Sequence, residues 1–166
     1  MALEAETVIP QPAQKIIEAF ASRDFHEHLA AKVGSQLKSF EVSGETSGAF
    51  TITSEQSMAV DRLPDIAQKI LKGQVTVTIT EEWSAADQDG SRRSDMTVKI
   101  HSAPVSAEAS QNLHARGEET RATVRGEVNT SIPLIGKKLK SAAEPYMRRF
   151  VELQSREVDA WIRSNA

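Results

Sequence analysis

Cysteine is absent from this sequence, which excludes disulfide bridges, thiolate metal sites and cysteine nucleophiles together. Aromatic residues make up only 5%, too few to suggest a stacking platform for nucleic-acid bases. Positive charge is not in excess either: the formal charge is −3 and the isoelectric point about 5.8. Such a chain has no general attraction to nucleic acid or to an anionic membrane. No apolar run approaches the roughly 20 residues that span a bilayer. The opening MALEAETVIPQP lacks both the basic and the apolar region of a secretory signal. A cytoplasmic protein without a transmembrane segment is the expectation.

What is present is a globular balance, 39% hydrophobic and 26% charged over 166 residues. That predicts one domain, residues 1–166, long enough for a self-sufficient core. Leu3 to Ile9 alternates as a first strand, and Pro12 suits the first turn of a helix carrying Ala13, Ile16, Ile17 and Phe20. Asp24 reads as the N-cap of a second short helix through Phe25 and Leu29 to Val33, with Gly34 as its stop.

The period then changes. Phe50, Ile52 and Met58 mark a strand, and LPDIAQKILKG from Leu63 to Gly73 reads as a short helix. In QVTVTITEEW, Val75, Val77 and Ile79 alternate with three threonines, and DQDGS is a turn. Met96, Val98 and Ile100 repeat the alternation. Val105, Ala107, Ala109, Gln111, Leu113 and Ala115 form the apolar side of a further strand. After GEET, the set Ala122, Val124, Gly126, Val128 and Ile132 continues it. Each strand from Phe50 onward offers one apolar face and one of threonine and charge, the pattern of an antiparallel sheet covered on one side. The fold class is α+β, with helices gathered on one face.

The last helix is the longest. From Gly136 to Ser164 its apolar residues keep to one side, and its length of about 40 Å would cross a small sheet. Pro145 lies inside it, and Ser141–Glu144 resembles a capping box that would restart it, so a bend is expected between Leu139 and Pro145. The small inward residues Ala107, Ala109, Ala122 and Gly126 leave two outcomes, close contact with this helix or a cavity beneath it.

Candidate chemistry is sparse. Gly136-Lys137-Lys138 lacks the rest of a phosphate loop, and His26-Glu27-His28 sets two histidines at a spacing that diverges on a helix. With His101 and His114 expected to face outward, no metal is expected, and no cofactor. Glu81-Glu82-Trp83 places carboxylates beside an aromatic. One of the two carboxylates, Glu82 if it is buried in the pocket, would be a general acid in an apolar mouth, against the plainer reading of a salt-bridged rim with Trp83 in the core. Gln56 and Gln111 fall on inward registers, either as ligand-orienting amides or facing an open sheet end. No nucleophile has a base beside it.

Arg116-Gly117, VRGEVNTSIPLIGKKLK and a closing helix ending VDAWIRSN, with LPDIAQKILKG and VTVTITEEW before them, resemble the START-like (SRPBCC) superfamily. That superfamily includes the birch pollen allergen fold and the polyketide cyclases, and the likeness is greatest to a bacterial domain-of-unknown-function branch. The resemblance implies a helix-grip fold, a curved antiparallel sheet wrapped around the C-terminal helix, with a hydrophobic cavity between them. Members bind lipids, sterols or polyketides, and some are enzymes. The leading expectation is therefore a carrier of a hydrophobic, lipid-like small molecule. Its site would be lined by Ile52, Met58, Val77, Ile79, Met96, Val98, Leu113, Val124, Val128, Met147 and Phe150. The alternatives are a cyclase or hydratase using the same cavity, and a protein-binding module using the outer threonine-rich face or the exposed helix.

Overall fold

A computed structural model of the chain describes residues 3–71, 73–101 and 103–165. Strand β1 (Leu3–Ile9) is followed by helices α1 (Ala13–Phe20) and α2 (Arg23–Lys32). Strands β2 (Ser35–Gly44) and β3 (Phe50–Ala59) lead through a 3-10 turn (Val60–Arg62) to the short helix α3 (Asp65–Ile70). Then come β4 (Gln74–Trp83), β5 (Arg92–Ile100), β6 (Val105–Arg116) and β7 (Glu119–Thr130), and finally α4 (Gly136–Ser164). The strands form one antiparallel sheet in the order β1-β7-β6-β5-β4-β3-β2, so the first strand pairs with the last.

Two boundaries differ from the sequence expectation. The cap of α2 is Ser22, whose hydroxyl accepts from the Phe25 N–H, and Asp24 lies within the first turn. Asp24 there still favours the helix, since a negative charge suits its N-terminal end. Strand β2 has no counterpart in the sequence expectation. Its pairing with β3 shifts register between Leu37 and Ser39. The extra residue throws Phe40 and Val42 onto the face that simple alternation from Leu37 would deny them. It is also the sheet edge, and exposed Lys38 and Glu41 suit an edge that must not recruit another strand.

Helix α4 does not restart at Ser141; it runs unbroken through Pro145. Both residues are exposed, so the Ser141 carbonyl that loses its N–H partner to proline is open to water. α4 packs chiefly on β1 and secondarily on β7. Among its described residues Leu139, Val151, Ser155, Val158 and Ile162 are buried, and none between Leu139 and Val151.

Burial is divided accordingly. At one end, α1, α2 and the last turns of α4 enclose a core with Ile16, Phe20, Phe25, Phe50, Trp83 and Val158. Phe50 stacks on Trp83 at 6.3 Å, and Phe20 lies 5.9 Å from the same indole. Buried Arg92 closes this end by donating to the carbonyls of Thr46, Gly48 and Ser84 and to the Gln14 side chain. At the other end the buried cluster is small: Ala67, Leu71 and Val75, with half-buried aliphatic neighbours.

Candidate functional site

α4 packs on β1 and β7 and stands away from the inner face of the strands beside them. Two lobes of a cleft lie there. The smaller, about 200 Å³, runs between α3 and the β5–β7 strands beneath Leu139 and Ala143. The larger, about 450 Å³, lies between β3 and β4 and the helix residues Tyr146, Arg149, Phe150 and Leu153. Leu63 and Tyr146 border both lobes, so they are compartments of one cleft. Apolar side chains dominate the lining. Ser106 borders the small lobe, and Gln56, Arg62 and Arg149 border the large one.

Local sequence explains each wall. Alternation along β4 turns Val77 and Ile79 inward, and pairing with β3 brings Gln56 beside Val77. Gln56 accepts a hydrogen bond from the Ser35 hydroxyl at 3.0 Å, which fixes its amide at the edge of the large lobe. Gly34 is at φ +74°, and a Cβ there would meet the Arg62 guanidinium at 2.9 Å. Glycine thus lets the arginine lie across the α2–β2 corner.

Six of the eleven residues expected from sequence border the cleft: Val98 and Val128 the small lobe, Met58, Val77, Ile79 and Phe150 the large one. Ile52 and Leu113 do not; both have no exposed surface and pack in the aromatic core at the closed end. Met96, Val124 and Met147 are half-buried and border neither lobe. Sequence reasoning missed the walls given by α3 and the residues flanking it, namely Leu63, Ala67, Ile70 and Leu71, and the roof residues Leu139, Ala143 and Tyr146. The apolar stripe of residues 63–71 carried the signal, but a short helix reads equally well as core.

Of the two adjacent carboxylates one is buried, and it borders neither lobe of the cleft. Glu82 is exposed and Glu81 is buried, because Glu81 shares the inward register of Val77 and Ile79. It stands between Ile52 and Met96 on the adjacent strands. Burial pushes its carboxyl up to about 7, and the Trp83 indole N–H partly counters this. That N–H does not reach hydrogen-bond geometry with any partner, and neither does the buried Ser94 hydroxyl. With buried Ser54 and Gln111, these groups form a polar belt between the solid core and the cleft. Gln111 donates to the Gln154 side chain of α4 at 3.5 Å, so its amide is engaged with the helix.

The histidines are held structurally. His26 is buried with Nε2 at 2.6 Å from the Phe20 carbonyl, and His28 faces Glu157 of α4 at 3.3 Å. His101 and His114 are exposed. Among the described residues no three His, Asp or Glu side chains gather as a metal site, and no helix is long and apolar enough to cross a membrane.

Residues 4–162 match a family model described as "Protein of unknown function (DUF2505)". No curated protein sequence matches. Solved structures match along nearly the whole chain. The protein TTHA0849 from Thermus thermophilus has 17% identity and a TM-score of 0.60, covering 100% of this chain and 99% of its own. The Zhui aromatase/cyclase from Streptomyces sp. R1128 has 12% identity and a TM-score of 0.55, with 98% and 93% covered. Norcoclaurine synthase of Thalictrum flavum, a point mutant in complex with a transition-state analogue, has 10% identity and a TM-score of 0.51, with 99% and 95% covered. At these identities the likeness is one of fold: a START-like helix-grip architecture.

Proposed function

Since the chain belongs to the DUF2505 family, whose description assigns no activity, we propose from its own geometry that it binds an apolar, lipid-like small molecule in the cleft beneath α4. The observation that carries this reading is the stretch between Leu139 and Val151, where the helix buries none of its described residues above an apolar cleft with lobes of about 200 and 450 Å³. Apolar clefts of a few hundred Å³ with a few placed polar groups are the usual form of small-molecule sites. Met58, Val77, Ile79, Val98, Val128 and Phe150 would make the apolar contacts, and Gln56 and Arg149 would orient a polar end at the rim. Enclosing Tyr146 and Phe150, each about 40% exposed without a ligand, would add burial to the binding energy.

Native mass spectrometry of protein purified from its own host tests this. The expected result is an adduct removed by organic extraction, together with saturable uptake of 1-anilinonaphthalene-8-sulfonate that Ile79→Trp abolishes by filling the large lobe. A protein with no adduct and no saturable uptake would overturn the reading.

Glu81 favours a second reading, catalysis on the bound molecule. A carboxyl with a value of about 7 is suited to move a proton near neutral pH, and it lies two residues from Ile79 on the same face, about 7 Å along the strand. This reading ranks second because no charged partner acts on Glu81 and it borders neither lobe of the cleft. If it holds, Glu81→Gln keeps the adduct but stops any change in its mass over time; an unchanged rate would remove it.

A further inference from the structure

The turn joining β7 to α4, residues 131–135, carries a feature that folding does not explain. Leu134 is 96% exposed, the most exposed large apolar residue among those described. It is also the one described non-glycine residue with a positive φ, at 65°. A left-handed backbone is unfavourable for leucine, and so is an apolar side chain standing bare in water. Strain of this kind, joined to apolar exposure, points to contact with something outside the fold.

Its surroundings identify the partner's chemistry. Lys137 and Lys138 are exposed and Lys140 half-buried, all within six residues of Leu134. None of the three is in an ion pair among the described residues. Arg62 and Lys69 flank or lie on α3 and are exposed, as are the acids Asp61 and Asp65 there and Glu108 and Glu127 on the paired ends of β6 and β7. The turn also adjoins the cleft opening. Leu139 borders the small lobe, and the Ser131 N–H donates to the Pro104 carbonyl at 3.3 Å, tying the turn to the β5–β6 connection.

We propose that this turn docks the protein on an anionic lipid surface. Leu134 enters between headgroups, and Lys137, Lys138 and Lys140 face the phosphates. Lysines are compact charges on flexible stems, which suits a fluid array of phosphates better than the fixed carboxylates of a protein partner. A net charge of −3 for the whole chain opposes adhesion elsewhere, so it orients the molecule turn-first. The cleft opening then faces the bilayer. This docking stands whatever the cleft holds.

Co-sedimentation with two vesicle preparations tests it, one of phosphatidylcholine alone and one of four parts phosphatidylcholine to one part phosphatidylglycerol. Binding is expected to the mixed vesicles only and to weaken with salt. Lys137→Ala and Lys138→Ala should each lower it about fivefold. Leu134→Gly accepts the positive φ while removing the wedge, so it should leave thermal stability and 1-anilinonaphthalene-8-sulfonate uptake intact and lower vesicle binding about tenfold or more. Failure to bind mixed vesicles, equal binding to both, or binding that survives Leu134→Gly would each overturn the proposal. So would sedimentation velocity showing a dimer that Leu134→Gly dissolves, which would assign the turn to a second copy of this chain.

Discussion

At one end of the sheet, α1, α2 and the last turns of α4 press Phe20, Phe25, Phe50 and Trp83 together. At the other, the six residues of α3 and the half-exposed rings of Tyr146 and Phe150 stand over the same strands. Sheet and helix are common to both ends. What differs is the filler. Six of the chain's eight aromatics, Phe20, Phe25, Phe40, Phe50, Trp83 and Trp161, gather at the closed end, where two extra helices supply further side chains. The open end has only the half-exposed rings of Tyr146 and Phe150 and aliphatic side chains that cover the walls without meeting in the middle. A cleft therefore arises from the distribution of side-chain volume, with no change of architecture.

The sharpest way to break this comparison is to empty the filled end. Phe20→Ala should cost about 3–5 kcal/mol in urea unfolding, the usual cost for a buried phenylalanine. A loss under about 1 kcal/mol would mean that the closed end is not solid.

Glu81→Gln probes the belt between the ends. With a folded value of about 7 against an ordinary 4.5, the unfolded chain gives up its proton first as pH rises. Wild-type stability should then fall between about pH 4.5 and 7 and level off above. The glutamine variant lacks that loss, so it should be about 3 kcal/mol more stable near pH 8 and merge with wild type near pH 4. Equal stability at both pH values would place Glu81 in water.

His26 should show the opposite sign at a smaller amplitude. Burial lowers its value from 6.5, offset in part by the Phe20 carbonyl, so the unfolded chain takes up a proton first as pH falls. Stability should decline on the acid side of about 6.5, a loss most cleanly read in the Glu81→Gln background. Its absence there would show that the ring is hydrated at the closed end.

The smallest effect belongs to the open end. Phe150→Ala should shift unfolding by about 0.5 kcal/mol or less while weakening uptake of 1-anilinonaphthalene-8-sulfonate. A loss as large as that of Phe20→Ala would erase the distinction between the ends.

Much of this is legible in the sequence, for physical reasons. Period-two alternation from Phe50 to Val128 identifies the inward faces because one side of the sheet is covered and the other is not. The closing helix announces itself by its stripe and ends at Ser164 as expected. Strand β2 escapes because its bulge breaks the alternation between Leu37 and Phe40. At the site, alternation says which residues point inward but not how far along the sheet the filling extends. Ile52 and Ile79 therefore look alike, although one lies in the core and the other borders the cleft. Strict alternation also places Glu81, not Glu82, with Val77 and Ile79.

The pairing of β1 with β7, seven rungs from Leu3↔Gly126 to Ile9↔Thr120, has a consequence for biosynthesis. A ribosome releases Leu3 more than a hundred residues before its partner exists, and α4, which rests on β1, emerges later still. The first strand must wait unpaired while the central hairpins form, a long-range closure of the kind that slows folding. On the ribosome, the compartment beneath α4 can therefore be roofed only after β7, the partner of β1, has emerged.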